Sequence, residues 1–381
     1  MKFSIKERYL NTQIEKDLNK KMVFLSGPRQ SGKTTTAKYL LKKQTGTLSR
    51  YLNYDSLEDR TKFRKEIFPS GKGLIVLDEI HKFSRWRQIV KGLYDKRNDE
   101  VSILITGSAR LDHYRHGGDS LQGRYHLLRL LPLSYREIKD HYKDAMTRLF
   151  NRGPFPEPLF EDSDIEAIRW SKEYLSRLIR EDIGDLETIK DISLLELLAD
   201  RLPGLVGSPL SINSLREDLQ VAHQTVSRWI ELFENMYMVF RVYPYGSPKI
   251  RAVKKESKHY HYDWSLLEEE GARFENMIAF HLLKHCYFLE DTQGKQMELR
   301  YFRDIDLREV DFVVLHKNNP ILFIECKVSK KPEESKPLQY LRKKFPEVRC
   351  CIVYHQLEES FTDRMNIEHI CASDLLSQLA C

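Results

Sequence analysis

With 381 residues, 41% of them hydrophobic and 31% charged, the chain is long enough for two or three domains with separate cores, which excludes a disordered or fibrous protein. Its formal net charge of +6 permits contact with nucleic acid without requiring it. No apolar run reaches the length of a membrane span, so no membrane partner is expected. The six cysteines all follow residue 285, and the adjacent Cys350 and Cys351 are badly placed for a mutual disulfide. A reduced cytoplasm without a zinc site is expected, and the charged start Met1 to Arg8 does not read as a signal peptide.

The first apolar run, Met22 to Leu25, leads into Gly27, Pro28, Arg29, Gln30, Ser31, Gly32, Lys33 and Thr34, and then into the helical pattern from Thr35 to Leu41. Strand, glycine-rich turn and helix in that order make a phosphate cradle. Glycines let the backbone wrap closely, the N–H groups converge on the β-phosphate, and the helix points its positive end inward. Lys33 would neutralise the β- and γ-phosphates, and the Thr34 hydroxyl would bind Mg²⁺. The expected ligand is a nucleoside triphosphate.

A short strand is expected near 50–54. Gly73 to Leu77 is an apolar strand that ends in Asp78 and Glu79. A carboxylate at the end of a core strand beside the phosphate loop can hold Mg²⁺ through water. The adjacent Glu79 can orient and polarise the attacking water, which points to hydrolysis beyond binding. Alone, two acids would only cap a strand; the phosphate loop gives them a role. The strand Val101 to Thr106 runs into Gly107, Ser108, Ala109 and Arg110. If it lies between the other two, its polar end stands beside the γ-phosphate and Ser108 is a candidate sensor, a plain strand-ending turn being the other reading. Arg124, ahead of an apolar stretch at 127–131, and Arg110 are arginine-finger candidates, in cis or from a neighbouring subunit of a homo-oligomer.

Alternating strands and helices over residues 1–140 indicate a three-layer α/β domain with a mostly parallel sheet. Residues 141–210 read as a helical lid, with a turn-rich linker from Asn151 to Pro158 and helices from Ile165 to Arg201. Residues 211–250 read as a winged helix-turn-helix: a capping box at Ser214–Glu217, a turn at 221–225, a helix from Thr225 to Glu234, and a hairpin within Met238 to Tyr245. Gln224, Thr225, Ser227 and Arg228 would face DNA, unless the module is a hinge between domains.

Residues 251–381 form the last region, with a basic, exposed stretch at Arg251 to Lys258 and one long helix from Glu268 to Cys286. Asp311 sits amid apolar residues on one strand, and Glu325 ends the apolar strand Ile321 to Ile324. Carboxylates with such flanks must be paired or bound to metal. Lys327 shares a face with Glu325 by the two-residue period and could stabilise a pentavalent phosphate. Glu275 on the long helix would add a further metal-ligating carboxylate.

With these parts in order, the chain resembles the bacterial and archaeal AAA-type ATPases that carry a C-terminal domain of unknown function related to PD-(D/E)xK nucleases. The resemblance rests on Gly27–Thr35, Leu77–Ile80, Thr106–Arg110, Leu121–Arg124, Leu131–Glu137, Phe155–Pro158, Thr225–Trp229, Arg273–Asn276, Glu309–Phe312 and Ile324–Lys327. It implies Lys33, Thr34, Asp78 and Glu79 as ATPase residues, Ser108 as sensor, and Asp311, Glu325 and Lys327 as a nuclease-like triad. It also implies a P-loop ATPase core, a helical and winged-helix middle, and a C-terminal α/β restriction-endonuclease-like domain. Preference for ATP over GTP rests on this resemblance and on the absence of an Asn-Lys-x-Asp string.

Two functions compete. One is an ATP-hydrolysing enzyme whose nucleotide state controls the winged helix and a metal-dependent nuclease-like domain acting on DNA. The other is a nucleotide-dependent switch or scaffold whose nuclease-like domain binds without cleaving. A small-molecule kinase would leave Asp78, Glu79 and more than two hundred downstream residues unexplained.

Overall fold

A computed structural model describes residues 7–44, 49–65, 71–97, 100–107, 121–183, 192–246 and 257–381, and the chain divides after Pro132 into two units. The first is built on β1 (Met22–Ser26), β2 (Arg50–Asn53), β3 (Gly73–Asp78), β4 (Val101–Thr106) and β5 (Tyr125–Arg129). All neighbours pair in parallel, in the order β2-β3-β4-β1-β5. β1 and β3 are buried along their whole length, as continuous apolar strands in a doubly covered parallel sheet must be. Helices α1 (Asn11–Leu18), α2 (Lys33–Lys43), α3 (Leu57–Arg64) and α4 (Trp86–Lys96) complete the unit. Its core joins Phe24, Phe63, Leu77, Trp86, Ile103 and Ile105. β5 begins two residues before the expected 127, and Tyr125 stacks on Phe24 with ring centroids 4.2 Å apart.

The register of this sheet sets the site. Leu25 lies beside Thr106, Thr106 beside Asp78, and Asp78 beside Asn53. This row is the carboxyl edge of the sheet, and the turn after β1 starts there. β4 therefore does lie between β1 and β3.

The second unit begins at Leu133, earlier than the expected boundary at 140, because the segment after Pro132 is tied into it. Ser134 and Glu137 form a capping box on the short helix α5 (Tyr135–Ile138). Buried Lys284 Nζ lies 2.5 Å from Glu137 Oε2, and Tyr135 N donates to His281 Nε2 at 3.0 Å. Helices α6 (Ala145–Arg152), α7 (Pro156–Phe160), α8 (Asp164–Arg177) and α9 (Ile192–Arg201) follow. The linker expected at 151–158 is largely helical: Pro156 opens α7, a first-turn position where a missing N–H costs nothing.

The segment expected to form a winged helix has other element bounds than expected. Ser211, not Ser214, caps α10 (Ile212–Leu219), accepting from Ser214 N. α11 (His223–Asn235) takes in part of the anticipated turn. Residues 239–244 form one strand, β6, not a hairpin; its antiparallel partner β7 (Lys258–His261) lies beyond the expected end at 250. Glu234 joins α11 to β6 by accepting from Arg241 N at 3.1 Å and Arg241 Nε at 2.8 Å. Gln224 and Arg228 are exposed, and Thr225 and Ser227 half-buried.

β6 then pairs with β8 (Met297–Arg303), so β6 and β7 form the edge of an eight-stranded mixed sheet. The other strands are β9 (Glu309–His316), β10 (Asn319–Lys327), β11 (Arg349–Tyr354), β12 (Phe361–Thr362) and β13 (Glu368–Cys371). The order is β12-β13-β11-β10-β9-β8-β6-β7. The long helix α12 (Glu270–Gln293) packs on this sheet and runs further than expected, stopping at Gly294 with φ of 66°. α13 (Lys336–Lys344) and α14 (Ala372–Gln378) close the unit. No described helix is long and apolar enough to cross a membrane.

Candidate functional site

The turn after β1 has the backbone that a phosphate cradle requires. Gly27, Gln30 and Gly32 have φ of 142°, 61° and 99°. A side chain at Gly27 would place its Cβ 2.3 Å from the carbonyl oxygen of Leu130, so only glycine fits. Gly32 opens α2, whose first residues are Lys33, Thr34 and Thr35. Lys33 is buried, and its ammonium donates to the carbonyls of Gly27 at 3.0 Å and Pro28 at 2.6 Å. A cation resting on loop carbonyls is poised to exchange them for an anion. Pro28 and Ser31 are buried, Arg29, Gln30 and Thr35 exposed. Ser31 Oγ is buried without a hydrogen-bond partner among the described residues. These features fit a bound polyphosphate.

Asp78 is the hub of the opposite wall. Its Oδ2 accepts from Thr34 Oγ1 at 2.9 Å and also from the Tyr51 hydroxyl. Its Oδ1 accepts from Thr106 Oγ1 at 2.5 Å. Burial, then the hydrogen bond to Asp78, raises the Tyr51 phenol well above its ordinary range. The pair Thr34–Asp78 is the one that would hold Mg²⁺, directly and through water. Glu79 follows with φ of 55° and ψ of 21°, a left-handed conformation that costs a non-glycine residue on the order of 1–3 kcal/mol. Its N–H donates to Thr106 O at 3.0 Å. Burial pushes the Glu79 carboxyl up, opposed by Lys82 and Lys33, and Lys82 Nζ lies 3.6 Å away.

Arg8, which sequence reasoning did not single out, holds the loop from behind. It is 5% exposed, and its two Nη atoms donate to Ser31 O at 2.6 Å and Leu131 O at 2.7 Å. Tyr51 and Thr106 were also missed. Thr106 could have been found from its place at the polar end of β4; nothing around Arg8 or Tyr51 marks them in sequence.

Ser108 and Arg110 lie outside the described residues. For Arg124 the fold bears on the cis alternative alone. Its carbonyl accepts from Met22 N, which puts it at the amino edge of the sheet, a five-residue strand, roughly 17 Å, from the phosphate loop. Its guanidinium pairs with Asp95, Nε to Oδ1 at 2.8 Å. It cannot reach its own chain's phosphate site, so an action in trans is the only finger role left to it.

In the second unit, Glu325 and Asp311 each stand one position beyond the last β9–β10 pair, Ile324↔Phe312. Asp311 Oδ2 accepts from Cys326 N at 2.8 Å, and Lys327 Nζ lies 3.1 Å from Glu325 Oε1. Glu275 Oε1 accepts from the Tyr260 hydroxyl at 2.7 Å and lies 3.5 Å from Lys258 Nζ. Burial is the largest influence on Glu275, Asp311 and Glu325, and raises all three carboxyls. Sequence expectation and structure part here at one residue. Lys258, taken as exposed, is 1% exposed. Glu275 and Glu325 both feel the Asp311 charge, and among the described residues no three His, Cys, Asp or Glu side chains stand in a metal-holding arrangement as they are placed. Each carboxylate is engaged instead by a lysine, a tyrosine or a backbone N–H. A cavity of about 560 Å³ opens beside them, lined among others by Gly207, Glu275, Lys327, Ser329 and Glu333.

Comparison with known proteins gives consecutive matches along the chain. Residues 19–139 match the family described as AAA domain, residues 143–270 a domain of unknown function (DUF8612), and residues 270–372 another (DUF4143). An uncharacterized protein of Haemophilus influenzae is 26% identical over 396 residues, covering 93% of this chain and 94% of its own. One from Methanocaldococcus jannaschii is 26% identical over 350 residues, covering 74% and 72%. Among solved structures, Aeropyrum pernix Orc1 in complex with DNA has a TM-score of 0.34 at 13% identity, covering 68% of this chain and 88% of that one. The Thermotoga maritima RuvB Holliday junction branch migration motor has a TM-score of 0.30 at 16% identity, covering 61% and 88%. Likenesses this distant carry no argument about activity. An AAA domain implies nucleotide binding, as a rule of Mg-ATP. The chain thus carries an AAA-family P-loop ATPase domain followed by two domains of unknown function.

Proposed function

We propose that this chain hydrolyses ATP and that its nucleotide state controls the winged helix and the nuclease-like C-terminal domain, acting on DNA. The observation that carries the reading is Asp78, held by Thr34, Tyr51 and Thr106 beside the phosphate loop, with Glu79 next to it. Mg²⁺, when bound, supplies positive charge to the phosphate oxygens. Lys33 adds a second cation at the loop, and the N–H groups at the start of α2 orient the triphosphate. Glu79 aligns a water and accepts its proton as the terminal phosphoryl group leaves ADP. The exposed Gln224 and Arg228 of α11 supply the DNA-facing side.

ATP turnover, measured with and without DNA, tests the reading. Lys33→Ala should abolish nucleotide binding, and Glu79→Gln should keep it while barely hydrolysing. Equal turnover in wild type and Glu79→Gln would remove Glu79 from the mechanism. A second reading, a switch whose C-terminal domain binds without cleaving, is favoured by Lys258, which sits among the acids where a nuclease would keep its metal.

A further inference from the structure

Lys258 is an unusual residue to find inside a protein. It is 1% exposed, on β7, and its Nζ lies 2.6 Å from Glu309 Oε1 and 3.5 Å from Glu275 Oε1. The Tyr301 ring stands 5.5 Å from the same ammonium. Asp311 belongs to the same cluster, since its charge acts on both Lys258 and Glu275. A buried ammonium is tolerated only when carboxylates surround it, and buried carboxylates only when a cation is at hand.

Each neighbouring carboxylate also has one oxygen engaged, while Glu325 Oε2 is buried without a hydrogen-bond partner among the described residues. Tyr260 donates to Glu275, Cys326 N to Asp311, and Lys327 pairs with Glu325. Arg303 Nε lies 3.7 Å from Glu309 Oε2. Glu275, Glu309, Asp311 and Glu325 therefore face Lys258, Lys327 and Arg303, close to balance before any ion arrives. The chain also closes over the cluster. Gly207 has φ of +79°, and a Cβ there would stand 3.2 Å from Glu275 Oε2. Leu210 N donates to Ser257 O at 2.8 Å, and Pro209 bridges to Lys258 itself.

We infer that Lys258 is the resident cation of this carboxylate cluster and keeps a divalent ion out of it. The inference rests on the second reading above, in which the domain binds without cleaving. A divalent ion touching Glu275 and Asp311 would sit within a few ångströms of the ammonium, in a poorly screened interior. Ion and ammonium exclude each other.

The test titrates nucleotide-free full-length protein with Mn²⁺ and follows the free ion by electron paramagnetic resonance. Wild type should bind no more Mn²⁺ than Asp311→Asn. Lys258→Met should gain one site, lost again in Lys258→Met/Asp311→Asn, and Mn²⁺ should raise its melting temperature. A wild-type site that vanishes in Asp311→Asn would overturn the inference, and so would a folded Lys258→Met that gains none. If Lys258→Met does not fold, the wild-type comparison with Asp311→Asn still decides. Plasmid nicking separates the two ideas. Mn²⁺-dependent nicking lost in Lys327→Ala would sink the non-cleaving reading, whereas Mn²⁺ binding without nicking would sink only the role given to Lys258.

Discussion

Replacing Arg8 by Met tests whether the phosphate loop is held from behind. Met keeps most of the buried volume but removes both donors to Ser31 O and Leu131 O. A buried hydrogen bond from a charged donor contributes about 1.5–3 kcal/mol, so losing two should cost the first unit about 3 kcal/mol at the low end. Against a total stability of about 5–15 kcal/mol for a typical domain, that is a large fraction. The assay is urea unfolding of the full chain followed at a first-unit probe, with ATP affinity measured by calorimetry. If half of the lost energy had kept the loop in its binding shape, affinity should fall about tenfold. Arg8→Lys should recover part of the loss, because a point donor cannot span two carbonyls as a guanidinium does. Arg124→Met is the control: its pair with Asp95 is exposed, and its removal should leave the unfolding midpoint unchanged. The reasoning fails if Arg8→Met unfolds at the wild-type midpoint, or shifts it no more than Arg124→Met does.

Gly27→Ala should destabilise the first unit and abolish nucleotide binding together, because its Cβ meets backbone rather than a yielding side chain; intact binding by calorimetry would contradict this. Lys327→Ala should leave ATP turnover unchanged, since its ion pair lies wholly in the second unit; a fall in turnover would mean that the units are coupled through that site. Burial lowers His259 and His281 to about 4 and His261 to about 3, so the unfolded chain takes up more protons than the fold below the ordinary value of 6.5. The stability they contribute is complete above pH 6.5 and lost as pH falls toward 4, which circular-dichroism melts should show. A second unit equally stable at both pH values would refute it.

The phosphate loop and the acids after β3 were legible because each is local. The glycines, Lys33 and Thr34 lie within one turn, and Asp78 with Glu79 ends a strand whose apolar run announces itself. The strand order could not be read, yet it places Thr106 between Leu25 and Asp78 and so builds the hub. The choice between cis and trans for Arg124 stayed open for the same reason. Its neighbours in sequence do not say which end of a parallel strand they occupy.

In the second unit the two-residue period correctly put Glu325 and Lys327 side by side, but it could not show what else would enter. Lys258 lies 53 positions before Asp311, in a stretch that reads as basic and exposed. Only β7 pairing with β6, and β6 with β8, draws it into the sheet beside α12 and buries it among acids.

The sequence by itself determined a phosphate-binding turn on a parallel α/β core, and where along the chain its chemistry stands, because backbone conformation and strand ends are set by adjacent residues. Tertiary structure alone decided that Arg8 braces the loop, that Arg124 faces away from it, and that a lysine fills the carboxylate cluster. Those are long-range contacts. Burial and register bring their partners together, and neither can be read until distant strands have paired.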